Sequence, residues 1–114
     1  VGAAICCFYS TDCQFSWEYG RERGGFANML PGIRRYLDYP HIASIACPKP
    51  MLFLNGEHDK LFPPVGVRDA FAEMHKVWES RSAGDRLVTE LWDMPHDCGK
   101  KVQAKILDFL NKWL

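Results

Sequence analysis

Apolar positions along this chain fall into two kinds of spacing, and the alternation between them predicts the order of elements. Val1 to Phe8 is an almost unbroken run of small, β-branched or apolar residues, the pattern of a strand buried on both faces. Met51 to Leu54 repeats that pattern behind the punctuation Pro48-Lys49-Pro50. After Pro63-Pro64 the apolar residues Val67, Phe71, Met74 and Trp78 recur at intervals of four, three and four, which predicts a helix burying one face until Ser82-Ala83-Gly84 breaks it. Leu87 to Trp92 alternates Leu87, Thr89 and Leu91 against Val88, Glu90 and Trp92, as a strand nearer a sheet edge does. Val102, Ile106, Phe109, Leu110 and Trp113 line one side of a terminal helix, and Lys101, Lys105, Asp108 and Lys112 line the other.

The region between the first two strands is less regular. Ser10 to Gly25, with Phe15, Trp17 and Tyr19, shows no period and reads as a long loop. Pro31 suits the first turn of a helix running to about Tyr39, with Ile33, Tyr36 and Leu37 on one side and Pro40 ending it; a second short helix is expected over His41 to Ala46. Strand, helices, strand, helix, strand, helix is the signature of an α/β fold with parallel strands. Right-handed crossovers place helices on both faces of the sheet, giving three layers. No internal repeat or linker interrupts the 114 residues, which suit one modest domain with a small core.

Composition narrows the function classes. The chain is 47% hydrophobic and 25% charged, as soluble globular domains are, and its 14 Lys+Arg balance 14 Asp+Glu. That balance supplies no field to draw it to nucleic acid or an anionic membrane, and no apolar run approaches the roughly 20 residues of a membrane-spanning helix. No basic leader precedes the first apolar run, so a signal peptide is not expected. Five cysteines, two of them adjacent at Cys6-Cys7, argue against a disulfide framework and for reduced, partly buried thiols. Cys13, Cys47 and Cys98 lack zinc-site spacing, so a structural zinc site is not expected. Arg21, Arg23, Arg34 and Arg35 read as a solvated basic face.

The candidate chemistry lies just past the second and third strands. In parallel sheets, functional groups gather outside the carboxyl ends of the strands. Asp59, in Asn55-Gly-Glu-His-Asp59, lies five residues beyond Leu54, and His96 lies four beyond Trp92, so both are expected on one rim. A carboxylate beside an imidazole fixes its tautomer and makes it a general base. Taken singly, each residue also has an ordinary structural role: Asp59 as the cap of a turn, and His96 as an exposed side chain beside Asp97, a candidate N-cap of the last helix. Their placement on consecutive strand ends points to function. His58 is expected to be an exposed turn residue and Cys98 a buried thiol, while His41 and His75 carry no assigned role.

The segment PKPMLFLNGEHDKLFP, the helix after it, the Asp93-Met94-Pro95-His96 strand end and the closing DFLNKWL together resemble the last third of an α/β-hydrolase. With FANMLPGIRRYLDYPHIASIACPKP, the likeness extends over essentially the whole chain and is narrower to the dienelactone hydrolase and acetyl xylan esterase branch. By this resemblance Asp59 is the triad acid and His96 the triad base, in the superfamily order nucleophile, acid, histidine. The departure is the nucleophile: no G-x-S-x-G or G-x-C-x-G occurs, and Ser10 and Ser16, the serines nearest the rim, lack flanking glycines. In the family the nucleophile elbow and oxyanion-hole strands come before the strand at Val1 to Phe8. The resemblance therefore implies that residues 1–114 are the carboxyl-terminal portion of a hydrolase domain, acting on small esters such as acylated carbohydrates and nearly inert alone, since loss of a nucleophile lowers turnover by roughly a millionfold. The hydrolase mechanism that the resemblance implies calls for neither metal nor organic cofactor. The alternative is a noncatalytic module that self-associates, or binds a complementary piece, through the edge of its first strand. A cysteine-based redox or metal protein has little support in the spacing.

Overall fold

The computed structural model describes residues 1–5, as backbone alone from residue 3 to residue 5, and residues 35–114. In chain order the elements are β1 (Gly2–Ile5), α1 (Tyr39–Ala43) running into a 3-10 turn (Ser44–Ala46), β2 (Met51–Gly56), α2 (Pro64–Ser80), a second 3-10 turn (Gly84–Arg86), β3 (Leu87–Trp92) and α3 (Lys100–Trp113). Residues 6–34 lie outside the described residues; they include the last three positions of the predicted first strand, the predicted loop over Ser10 to Gly25 and the start of the predicted Pro31 helix.

The three strands form one parallel sheet in the order β1-β2-β3, with Leu52 beside Ala3 on one side and beside Val88 on the other. The fold is mixed α/β, as the alternating spacing predicts. Because successive strand side chains point to opposite faces, the central strand feeds two cores. Phe53 packs with Val67, Phe71, Met74 and Trp78 of α2 and with Leu87. Leu52 and Leu54 pack with Val102 and Phe109 of α3, and Ile106, Leu110 and Trp113 close over them. Helices thus cover the two faces of the sheet, and β3 divides its residues likewise: Leu87 and Leu91 go to the α2 side, Val88 and Trp92 to the α3 side. Trp78 is fully buried and its indole Nε1 donates to Lys49 O at 3.1 Å, so the largest apolar side chain of the core is satisfied at its polar end.

The helix boundaries have local causes. Pro64 occupies the first turn of α2, where its missing N–H costs nothing. At the other end Ser82 N donates to Glu79 O and Ala83 N to Trp78 O, each at 2.9 Å, a Schellman closure that puts Ser82 at φ 52°. Two expectations need correction. Pro40 does not end a helix: it sits inside the first turn of α1, whose cap is Asp38, extended at φ −117°. The Asp38 side chain accepts from the backbone N–H of His41, and His41 Nδ1 accepts from Asp38 N at 2.8 Å, a reciprocal box that, with Tyr39 N also donating to Asp38 Oδ1 at 2.7 Å, starts a helix where the proline alone suggested a stop. Arg35 to Asp38 are consequently not part of an α-helix. The cap of α3 is Gly99 rather than Asp97.

Candidate active site

β2 and β3 are parallel neighbours, so the loops leaving Gly56 and Trp92 emerge at the same rim. The pairing continues past the strand ends: Glu57 N donates to Trp92 O at 2.7 Å and His58 N to Met94 O at 3.1 Å. These two bonds draw the β3–α3 loop across the end of β2 and carry His96 toward Asp59.

Asp59 is 4% exposed, with its side chain fully buried, yet both of its oxygens are used. Oδ1 accepts from Leu61 N at 2.7 Å and Phe62 N at 3.0 Å, closing the turn that leads into Pro63-Pro64. Oδ2 lies 2.9 Å from His96 Nδ1. The turn-capping role and the imidazole-orienting role, alternatives in the sequence, are therefore filled at once by different atoms of one carboxylate. A carboxylate only accepts, so the neutral ring carries its proton on Nδ1 and leaves Nε2 as an unprotonated acceptor. Among the described residues nothing is hydrogen-bonded to Nε2, and the His96 side chain is 47% exposed. An imidazole oriented at Nδ1 and open at Nε2 can take a proton from a hydroxyl brought to the rim and return it to a leaving group.

Phe62 holds the ring from the side. Its plane lies 17° from that of His96 with centroids 5.7 Å apart, and Phe62 also packs against the core under α2. The sequence carried no sign of this contact beyond an aromatic residue three positions after Asp59. His58 is exposed, as expected, and pairs with Asp93 across the two loops at 2.7 Å (Nε2 to Oδ1). Glu57 pairs with Arg68 on α2. His75 bonds Thr89 Oγ1 at 2.9 Å, tying α2 to β3 away from the rim, and His41 belongs to the α1 cap. Cys98 is exposed, contrary to the buried thiol expected of it, because it lies on the open loop before α3 begins.

An open depression of about 520 Å³ beneath the β3–α3 loop is lined by Trp92, Met94, Asp97 and Lys100 among others, but by neither Asp59 nor His96. Among the described residues no group of three or more His, Cys, Asp or Glu side chains could hold a metal ion, and no helix is long and apolar enough to cross a membrane. Ser10, Ser16, Phe15, Trp17, Tyr19, Cys6, Cys7 and Cys13 lie outside the described residues.

The fold and site define a parallel α/β chain with a buried aspartate oriented against an open histidine at the carboxyl rim. Over 93 residues, 82% of this chain, the sequence is 29% identical to the protein described as "Putative hydrolase YtaP" of Bacillus subtilis (strain 168). The chain spans about a third of that relative's length, 31%. This distant similarity relates the chain, at most, to a protein described as a putative hydrolase. No protein-family model and no solved structure matches it.

Proposed function

We propose that residues 1–114 are the carboxyl-terminal portion of an α/β-hydrolase domain that cleaves carboxylic esters, with Asp59 as the acid and His96 as the base of a catalytic triad. The observation that carries this reading is the 2.9 Å contact between His96 Nδ1 and the buried Asp59 Oδ2, with Nε2 left open among the described residues. The nucleophile is a serine supplied by preceding sequence. His96 Nε2 takes the serine proton as the oxygen attacks the ester carbonyl, and delivers it to the departing alcohol when the acyl bond transfers. A water then repeats the exchange: His96 removes its proton, the hydroxyl adds to the acyl carbon, and the proton returns to the serine. Asp59 stays ionised throughout and balances the imidazolium formed in each half. The distant relative described as a putative hydrolase supports hydrolysis in general. Small acylated carbohydrates are the substrate class suggested by the resemblance to acetyl xylan esterases.

The test joins this chain to the sequence encoded upstream of Val1 and follows p-nitrophenyl acetate hydrolysis. His96→Ala should lower kcat by roughly a millionfold and Asp59→Ala by roughly ten-thousandfold, the losses typical of triad members. Equal rates in all three proteins would remove the assignment.

A further inference from the structure

Gly56, the last residue of β2, is buried, and its missing side chain is what the β3–α3 loop rests on. A Cβ built there would overlap the Met94 carbonyl oxygen, and would sit 2.5 Å from Pro95 O and 3.0 Å from the Pro95 carbonyl carbon. All three are backbone atoms, so no side-chain rotation can clear the space. The same Met94 oxygen accepts the hydrogen bond of His58 N at 3.1 Å, and Pro95 immediately precedes His96. Asp59 N in turn donates to Gly56 O at 3.3 Å, so one glycine touches the turn that holds the acid and the loop that carries the histidine.

We infer that Gly56 is a positioning residue: the absence of a Cβ lets the Met94–Pro95 backbone lie on the end of β2 and thereby sets the His96 Nδ1 to Asp59 Oδ2 contact. Any larger residue must lift the loop. The displacement necessarily passes through Met94 O, breaking the His58 N bond, and swings His96 off the carboxylate and off the Phe62 ring. The catalytic consequence rests on the reading of His96 as a base, whereas the geometric one does not.

The tautomer of His96 reads the geometry without any turnover. With the ring nitrogens labelled with ¹⁵N, neutral His96 should be the Nδ1–H form in the unaltered chain, because Asp59 Oδ2 accepts that proton. In Gly56→Ala, the ratio of Nδ1–H to Nε2–H forms should fall roughly tenfold or more, the worth of a lost charge-assisted hydrogen bond. Gly84→Ala is the matched control: its added Cβ would meet only Glu79 Cγ at 3.5 Å, an ordinary contact, so it should leave the tautomer unchanged. If Gly56→Ala melts the chain, the Gly56→Ala/Pro95→Gly double variant, whose freer loop can move off β2, carries the same test. A folded Gly56 variant that keeps the Nδ1–H form as fully as Gly84→Ala would overturn the inference. A lost tautomer in a protein whose extended form proves to have no esterase activity would uphold the positioning role and sink the proposed reaction instead.

Discussion

Two loops of seven residues each, 57–63 and 93–99, meet at the rim, and they are held in different ways. The first loop folds on itself: Asp59 Oδ1 accepts from two backbone N–H groups within its own turn, and Pro63-Pro64 fixes the exit into α2. In the second loop Asp93, Pro95, His96, Asp97 and Cys98 are all exposed, and Gly99 caps α3 without a side-chain bond. What fixes the second loop comes largely from the first loop and β2, through Gly56, the His58 backbone, the Phe62 ring and the Asp59 carboxylate. The aspartate is placed by local sequence and the histidine by tertiary contact. On the proposed assignment, changes to Asp59 should therefore be felt in stability as well as activity, and changes to His96 almost wholly in activity.

The largest separation should appear in urea unfolding. Asp59→Ala removes a fully buried carboxylate and leaves Leu61 N, Phe62 N and His96 Nδ1 without their acceptor in a partly buried site, and should cost about 2–4 kcal/mol. His96→Ala removes a half-exposed ring and should cost about 1 kcal/mol or less, although on the proposed assignment its effect on turnover is the greater. Comparable losses of stability would erase the contrast between the loops. A smaller effect is expected of Phe62→Leu, which keeps apolar volume against the α2 core but removes the stack on His96: about 1 kcal/mol of stability and, in the protein extended upstream of Val1 and on the proposed assignment, kcat reduced more than KM is raised. A pure KM effect would show that Phe62 touches substrate rather than the base.

The smallest effect lies away from both loops. On α2 the Glu73 carboxyl is held below its ordinary range, first by the hydrogen bond from Lys76 at 2.5 Å and then by that ammonium's charge. A carboxylate with a lowered folded-state pKa adds stability above its unfolded value, near 4, and loses it as pH falls through the folded one. This pair is on the surface, so Glu73→Gln should change the unfolding free energy at pH 7 by no more than about 0.5 kcal/mol, and the difference should vanish toward pH 2.

Legibility in the sequence follows the same division. Val67, Phe71, Met74 and Trp78 could be read as a buried face because helical periodicity is local, β2 because its apolar run is bounded by breakers, and β3 because its residues alternate with period two. Asp59 and His96 could be placed on one rim because parallel strands share a direction. Pro40 misled because proline fits the first turn of a helix as well as its end, and the choice depended on the Asp38–His41 box. The stack of Phe62 on His96 and the clearance at Gly56 join residues more than thirty positions apart, and no spacing along the chain encodes such an approach.

The most direct test of the central claim is a double-mutant cycle on kcat/KM for p-nitrophenyl acetate, using the protein extended upstream of Val1. If Asp59 acts through His96, then Asp59→Ala/His96→Ala should be no slower than His96→Ala alone, because the acid has nothing left to orient. Multiplied losses in the double variant, or none in either single one, would contradict the account.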